Sequence, residues 1–134
     1  MKLPSKAVNK RMKEIVPSNI LRQYLEGKTA TYDDFLLLRR TLAYQYGSIA
    51  CLQYVLSIPL ELYNIFISLR SGDISIWNLA FRENPQDLEP FSVRLSVGFD
   101  ELFGDNYVNG GCLPAFLATV EALKNPKLNF KTYL

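Results

Sequence analysis

Asn64-Ile-Phe-Ile-Ser-Leu-Arg-Ser-Gly-Asp-Ile-Ser-Ile-Trp-Asn78 is the one stretch of the chain in which a helical pattern gives way to strand alternation. Ile65, Ile67 and Leu69 alternate with Phe66, Ser68 and Arg70, and beyond Ser71-Gly72-Asp73 the residues Ile74 and Ile76 alternate with Ser75 and Trp77. Two period-2 runs joined by residues that tolerate positive φ predict a β-hairpin. A lone two-stranded ribbon is marginal in water, so the helices on either side are expected to pack against it.

Those helices follow from periodicity and punctuation. Upstream, Pro17 suits a first helical turn, Ile20, Leu21, Tyr24 and Leu25 recur at helical spacing, and Gly27 is the expected stop. Thr31 is a candidate cap for a second helix whose first turn carries Asp33 and Asp34, where carboxylates favour the positive end of the helix dipole. From Thr31 to about Ser57 there is no proline and one interior glycine, Gly47, so this is the longest element. Its predicted stripe is Phe35, Leu38, Leu42, Ile49, Leu52 and Leu56, interrupted by Gln45, with Tyr44, Tyr46, Ala50, Tyr54 and Val55 widening the apolar surface.

Pro59 breaks that helix and leads into the hairpin. Downstream, Glu83 to Pro90 reads as an exposed loop and Phe91 to Leu95 as a short alternating run. Phe99 to Phe103 reads as a helical turn, and Asn106 to Gly111 as a loop. A last helix over Leu113 to Lys124 is expected to place Leu113, Phe116, Leu117, Val120 and Leu123 on one side before Asn125-Pro126 ends it.

At 134 residues the chain fits one domain, and 49% hydrophobic residues supply enough apolar surface for a core. The fold class expected is mainly α with a minor β part, helices packed around a single hairpin. Net charge is +2 and there is no histidine, which removes the commonest general base and the commonest metal ligand. Cys51 and Cys112 match no metal-ligand or redox spacing and are expected to be buried thiols in a reducing compartment, cytosol or nucleus. No apolar run is long enough to span a bilayer, so no membrane partner is expected. Residues 1–15 form a basic arm with Lys2, Lys6, Lys10, Arg11 and Lys13 against Glu14; without interleaved aromatics it reads as a solvated face rather than a nucleic-acid site.

Chemical motifs are scarce. Gly110-Gly111 satisfies neither phosphate-loop spacing, no nucleophile elbow is present, and the paired acids Asp33-Asp34 and Asp100-Glu101 both sit at helix starts. No metal-ligand set assembles, and no cofactor is expected.

Several phrases, in order, resemble the C-terminal lobe of the kinase domain in the phosphatidylinositol 3-kinase-related kinases, and within them the catalytically dead transformation/transcription domain-associated family. They are Val16-Pro17-Ser18-Asn19-Ile20-Leu21, the run Phe35 to Gln45, Tyr54-Val55-Leu56, Ser71-Gly72-Asp73-Ile74, Pro90 to Ser96, and Asn125-Pro126 to Phe130. The likeness spans residues 16–134 and implies a protein-kinase-like C-lobe, incomplete because nothing matches the nucleotide-gripping N-lobe or the family's terminal helical segment.

Active members of that superfamily carry Gly-Asp-Arg-His-Pro-Ser-Asn before the first hairpin strand and Asp-Phe-Gly after the second, the acids serving the acceptor hydroxyl and magnesium. Here the matching stretches resemble Ile58 to Asn64 and Asn78-Leu79-Ala80. Pro59 stands where the first Asp is needed, only Asn64 keeps the family residue, and Asn78 replaces the metal-holding Asp. The resemblance therefore implies a pseudokinase with no catalytic, cofactor or metal residue. It further implies a nuclear scaffold within a transcription coactivator, with protein subunits of SAGA-type or NuA-type histone acetyltransferase complexes as chromatin-acting partners. Two alternatives stay open: part of an active protein or lipid kinase of the same superfamily, and a small nucleic-acid-binding module using the basic arm.

Overall fold

Helix α1 (Ile20–Glu26) is the first element in chain order in a computed structural model that describes residues 14–56, 65–77, 95–125 and 127. It is followed by α2 (Tyr32–Leu56), strands β1 (Ile65–Ile67) and β2 (Ile74–Ile76), helix α3 (Val97–Tyr107), a π-helical turn (Val108–Cys112) and α4 (Leu113–Lys124). Among the described residues the protein is mainly helical with a single antiparallel hairpin, as the helical periodicity and the alternation around Gly72 predict.

The start of α2 is fixed by a reciprocal cap. Thr31 Oγ1 accepts from the Asp34 amide at 3.1 Å, while Asp34 Oδ2 accepts from the Thr31 amide at 3.2 Å and the Thr31 hydroxyl at 2.8 Å. Donors that the helix leaves unpaired are thereby satisfied, and the acid lies at the positive end of the dipole. Gly27 does end α1, though in a right-handed conformation (φ −72°) rather than the left-handed one that favours glycine. The last turn closes instead through Lys28 N–H to the Leu25 carbonyl and Thr29 Oγ1 to the Glu26 carbonyl.

The core forms where α2 meets α3 and the π turn. Phe35, Leu38, Leu42, Ala43, Tyr46 and Ala50 of α2 are buried with Leu25 of α1, with Phe99, Leu102 and Phe103 of α3, and with Cys112. Tyr46, Phe99 and Phe103 form an aromatic triangle with centroids 5.0, 5.8 and 5.5 Å apart. Each fully buried large side chain contributes about 1.5–3 kcal/mol of transfer free energy. The expected stripe holds for Phe35, Leu38 and Leu42, but beyond Gln45 burial moves to Tyr46, Ala50 and Cys51, and Leu52 is exposed. A helix of 3.6 residues per turn drifts relative to any fixed spacing, and the small residues Ala43, Gly47 and Ala50 allow the closest approach on the shifted face.

Three further expectations are corrected. The turn expected over Phe99–Phe103 extends to Val97–Tyr107, capped by Ser96, whose hydroxyl accepts from the Phe99 amide. The predicted loop at Asn106–Gly111 continues the helical path through the π turn, with a kink at Gly104 (φ 59°, ψ 174°). Arg39 of α2 fills the kink, donating from Nη2 to the Phe103 carbonyl at 2.6 Å and lying 4.2 Å from the centre of the Tyr107 ring, while its buried Nε has no partner. The third concerns α4, in which Phe116, Val120 and Leu123 are half-buried while Leu113 and Leu117 are 48% and 53% exposed. The wider π turn re-phases the helix that follows it, which rotates those two leucines outward.

Candidate functional site

The hairpin is the feature the function reading depends on, and its construction begins with pairing. Ile65 faces Ile76, Phe66 faces Ser75 and Ile67 faces Ile74. Side-chain alternation then turns the four isoleucines to the half-buried face and Phe66, Ser75 and Trp77 to the outer one. Phe66 and Trp77 meet edge to face at 6.0 Å on that outer surface, with Trp77 66% exposed.

The connection closes with Ser68 N–H on the Asp73 carbonyl and Gly72 N–H on the Ser68 carbonyl, both at 2.8 Å. Gly72 takes φ +76°, and a Cβ there would lie 3.2 Å from both the Leu38 carbonyl oxygen and Thr41 Cβ of α2. The turn therefore requires glycine twice over, for its left-handed backbone and for its close approach to the helix.

Gln45 joins the two elements. Its Oε1 accepts from the Ile74 amide at 2.6 Å and its Nε2 donates to Asp73 Oδ1 at 2.8 Å. The residue that interrupts the apolar stripe of α2 is thus the one that holds the hairpin, and its polar character in a hydrophobic run is the signal that marks it. The Ser71 hydroxyl donates to the other Asp73 oxygen, and these bonds, Ser71 first and Gln45 second, hold the Asp73 carboxyl below its ordinary value of 3.8.

Asp73 is the acid nearest the hairpin among the described residues, and both of its oxygens are committed to holding the turn. Pro59, Asn64 and Asn78, the positions singled out by the kinase comparison, lie outside the described residues, as do residues 1–13 of the basic arm, the loop at Glu83–Pro90 and most of the Phe91–Leu95 run. Among the described residues no group of three or more Cys, Asp or Glu is placed to hold a metal ion, and no helix is long and apolar enough to cross a membrane.

Both cysteines are buried and unbridged, as expected. Burial raises the Cys51 thiol and pushes Cys112 up to about 11, and burial followed by the neighbouring Cys112 charge raises Tyr46. These are inert core groups rather than nucleophiles.

No known protein family, curated protein or solved structure matches the chain.

Proposed function

We propose that the chain is a non-catalytic packing module, a pseudokinase-like C-lobe serving as scaffold in a nuclear transcription coactivator that works with histone acetyltransferase subunits. The observation that carries this reading is the state of the hairpin. Its turn acid, Asp73, is engaged by Ser71 within the turn and by Gln45 of α2, while the positions that the kinase resemblance sets against the catalytic and magnesium-holding acids carry Pro59 and Asn78. Phosphoryl transfer depends on carboxylates that hold magnesium against the nucleotide. An amide and a proline at those positions leave the hairpin as architecture.

Two measurements test the proposal. Purified protein incubated with ATP and magnesium is expected to transfer no phosphate; magnesium-dependent transfer that disappears in Asn78→Ala would refute the non-catalytic reading. Tagged protein recovered from nuclei is expected to bring acetyltransferase activity with it. Recovery without that activity would refute the coactivator assignment while leaving the pseudokinase reading intact.

A further inference from the structure

A cleft of about 220 Å³ lies between the α1–α2 connection and the hairpin turn. It is lined by Lys28, Thr29 and Ala30 of the α1–α2 connection, by Leu69, Arg70 and Ser71 of the hairpin turn, and by Asp34, Leu37 and Leu38 of α2. We propose that this cleft receives a phosphomonoester carried on the side chain of a partner protein, the phosphate between Lys28 and Arg70 and its short stem on the leucines.

Three features support this. First, the two cations belong to separate elements 42 residues apart in sequence, brought to one cleft by docking of the hairpin on α2. Second, among the described residues neither has an acid within salt-bridge distance; Lys28 rests 5.6 Å from the centre of the Tyr24 ring, a contact that leaves its charge uncompensated. Third, Asp34, the one acid lining the cleft among the described residues, already accepts from the Thr31 amide and hydroxyl. A lysine point charge and an arginine fork lining one cleft suit a group of about −1.5 to −2 charge with three acceptor oxygens better than a carboxylate of single charge. The Ser71 and Thr29 hydroxyls donate within the fold, so the cations supply the recognition. This inference is independent of the scaffold reading above, since it involves none of Pro59, Asn64 and Asn78.

The test uses the full chain and a peptide library with a fixed phosphothreonine and random flanks, read by fluorescence anisotropy against the unphosphorylated library and a library with glutamate at the fixed position. Phosphopeptides are expected to bind, each of Lys28→Gln and Arg70→Gln to weaken binding about tenfold or more, and their combination to abolish it. Asp34→Asn, which keeps an acceptor for the cap and removes a repelling charge, is expected to tighten binding. Inorganic phosphate is expected to compete only weakly. Absence of phosphopeptide binding, equal binding of the glutamate library, insensitivity to the two cation variants, or inorganic phosphate binding as tightly as the peptides would each overturn the proposal. Far-UV circular dichroism of the variants separates loss of binding from loss of fold.

Discussion

Replacing Gly47 with alanine should destabilise the protein even though alanine is the better helix former. In an open helix the exchange gains about 1 kcal/mol. Here a Cβ on Gly47 would stand 2.8 Å from the carbonyl carbon and 2.9 Å from Cα of Cys112, and closer still to the Cys112 oxygen. Carbon atoms pack at about 3.5–4.0 Å, so α2 and the π turn would have to separate by roughly 0.5–1 Å, and a gap of that size forfeits a quarter to a half of each contact across it. The obstructing atoms are backbone on a π turn wedged against α2, so no side chain can swing aside. Overpacking of a filled core costs about 1–3 kcal/mol and more where the backbone must move. Taking the upper end and subtracting the propensity gain leaves about 2 kcal/mol, or a fall in Tm of roughly 6–10 °C. Urea titrations followed by far-UV circular dichroism would measure it. Gly110→Ala is the control, because nothing lies within 4 Å of a Cβ there, and it should be neutral or mildly stabilising. A Gly47→Ala protein at least as stable as the wild type would refute the close-packed seam.

Gln45→Leu should cost about 1–3 kcal/mol by leaving the Ile74 amide and an Asp73 oxygen without their partner, and amide exchange at Ile74 should accelerate more than exchange within α2. Asp73, with its carboxyl held below 3.8, contributes stability that is fully present above that pH and is lost as pH falls through the lower folded value; Asp73→Asn should remove this acid-side loss from a pH series of thermal melts. Cys112 runs the other way. Its thiol, moved from 9.0 to about 11, contributes stability below pH 9.0 that fades as pH rises toward 11, at most roughly 2–3 kcal/mol. Iodoacetamide should label Cys112 only slowly near neutral pH in the folded state and rapidly in urea.

Local signals were readable in advance and distant ones were not. The hairpin register follows from strict alternation around Gly72, and the cap on α2 from Thr31 and Asp34 three residues apart, because each involves neighbours in sequence. Gly47 reads in the sequence only as the one interior glycine of a long helix, since its partner Cys112 stands far along the chain and nothing in the local pattern announces the contact. Asn109-Gly110-Gly111 carries the composition of a loop, yet packing against Ala43, whose Cβ would lie 3.0 Å from one on Gly111, keeps it helical. Gln45 was visible as a polar break in an apolar stripe, but its purpose appears only when the hairpin is folded onto it. Of the kinase-motif residues, Pro59, Asn64 and Asn78 rest on sequence resemblance alone.

The amide of Gln45 differs from a carboxylate by one atom, and that gives the anchor a convertible character. A glutamate at this position could still accept from the Ile74 amide, but its second oxygen would confront Asp73 with a like charge where Nε2 now donates. In alkaline or neutral solution such a protein would hold its ribbon loosely; in acid, one proton shared between the two carboxyls would restore the grip. Gln45→Glu would therefore turn a permanent fastening into a latch closed by protons, detectable as a hairpin whose amide protection grows as the solution is acidified.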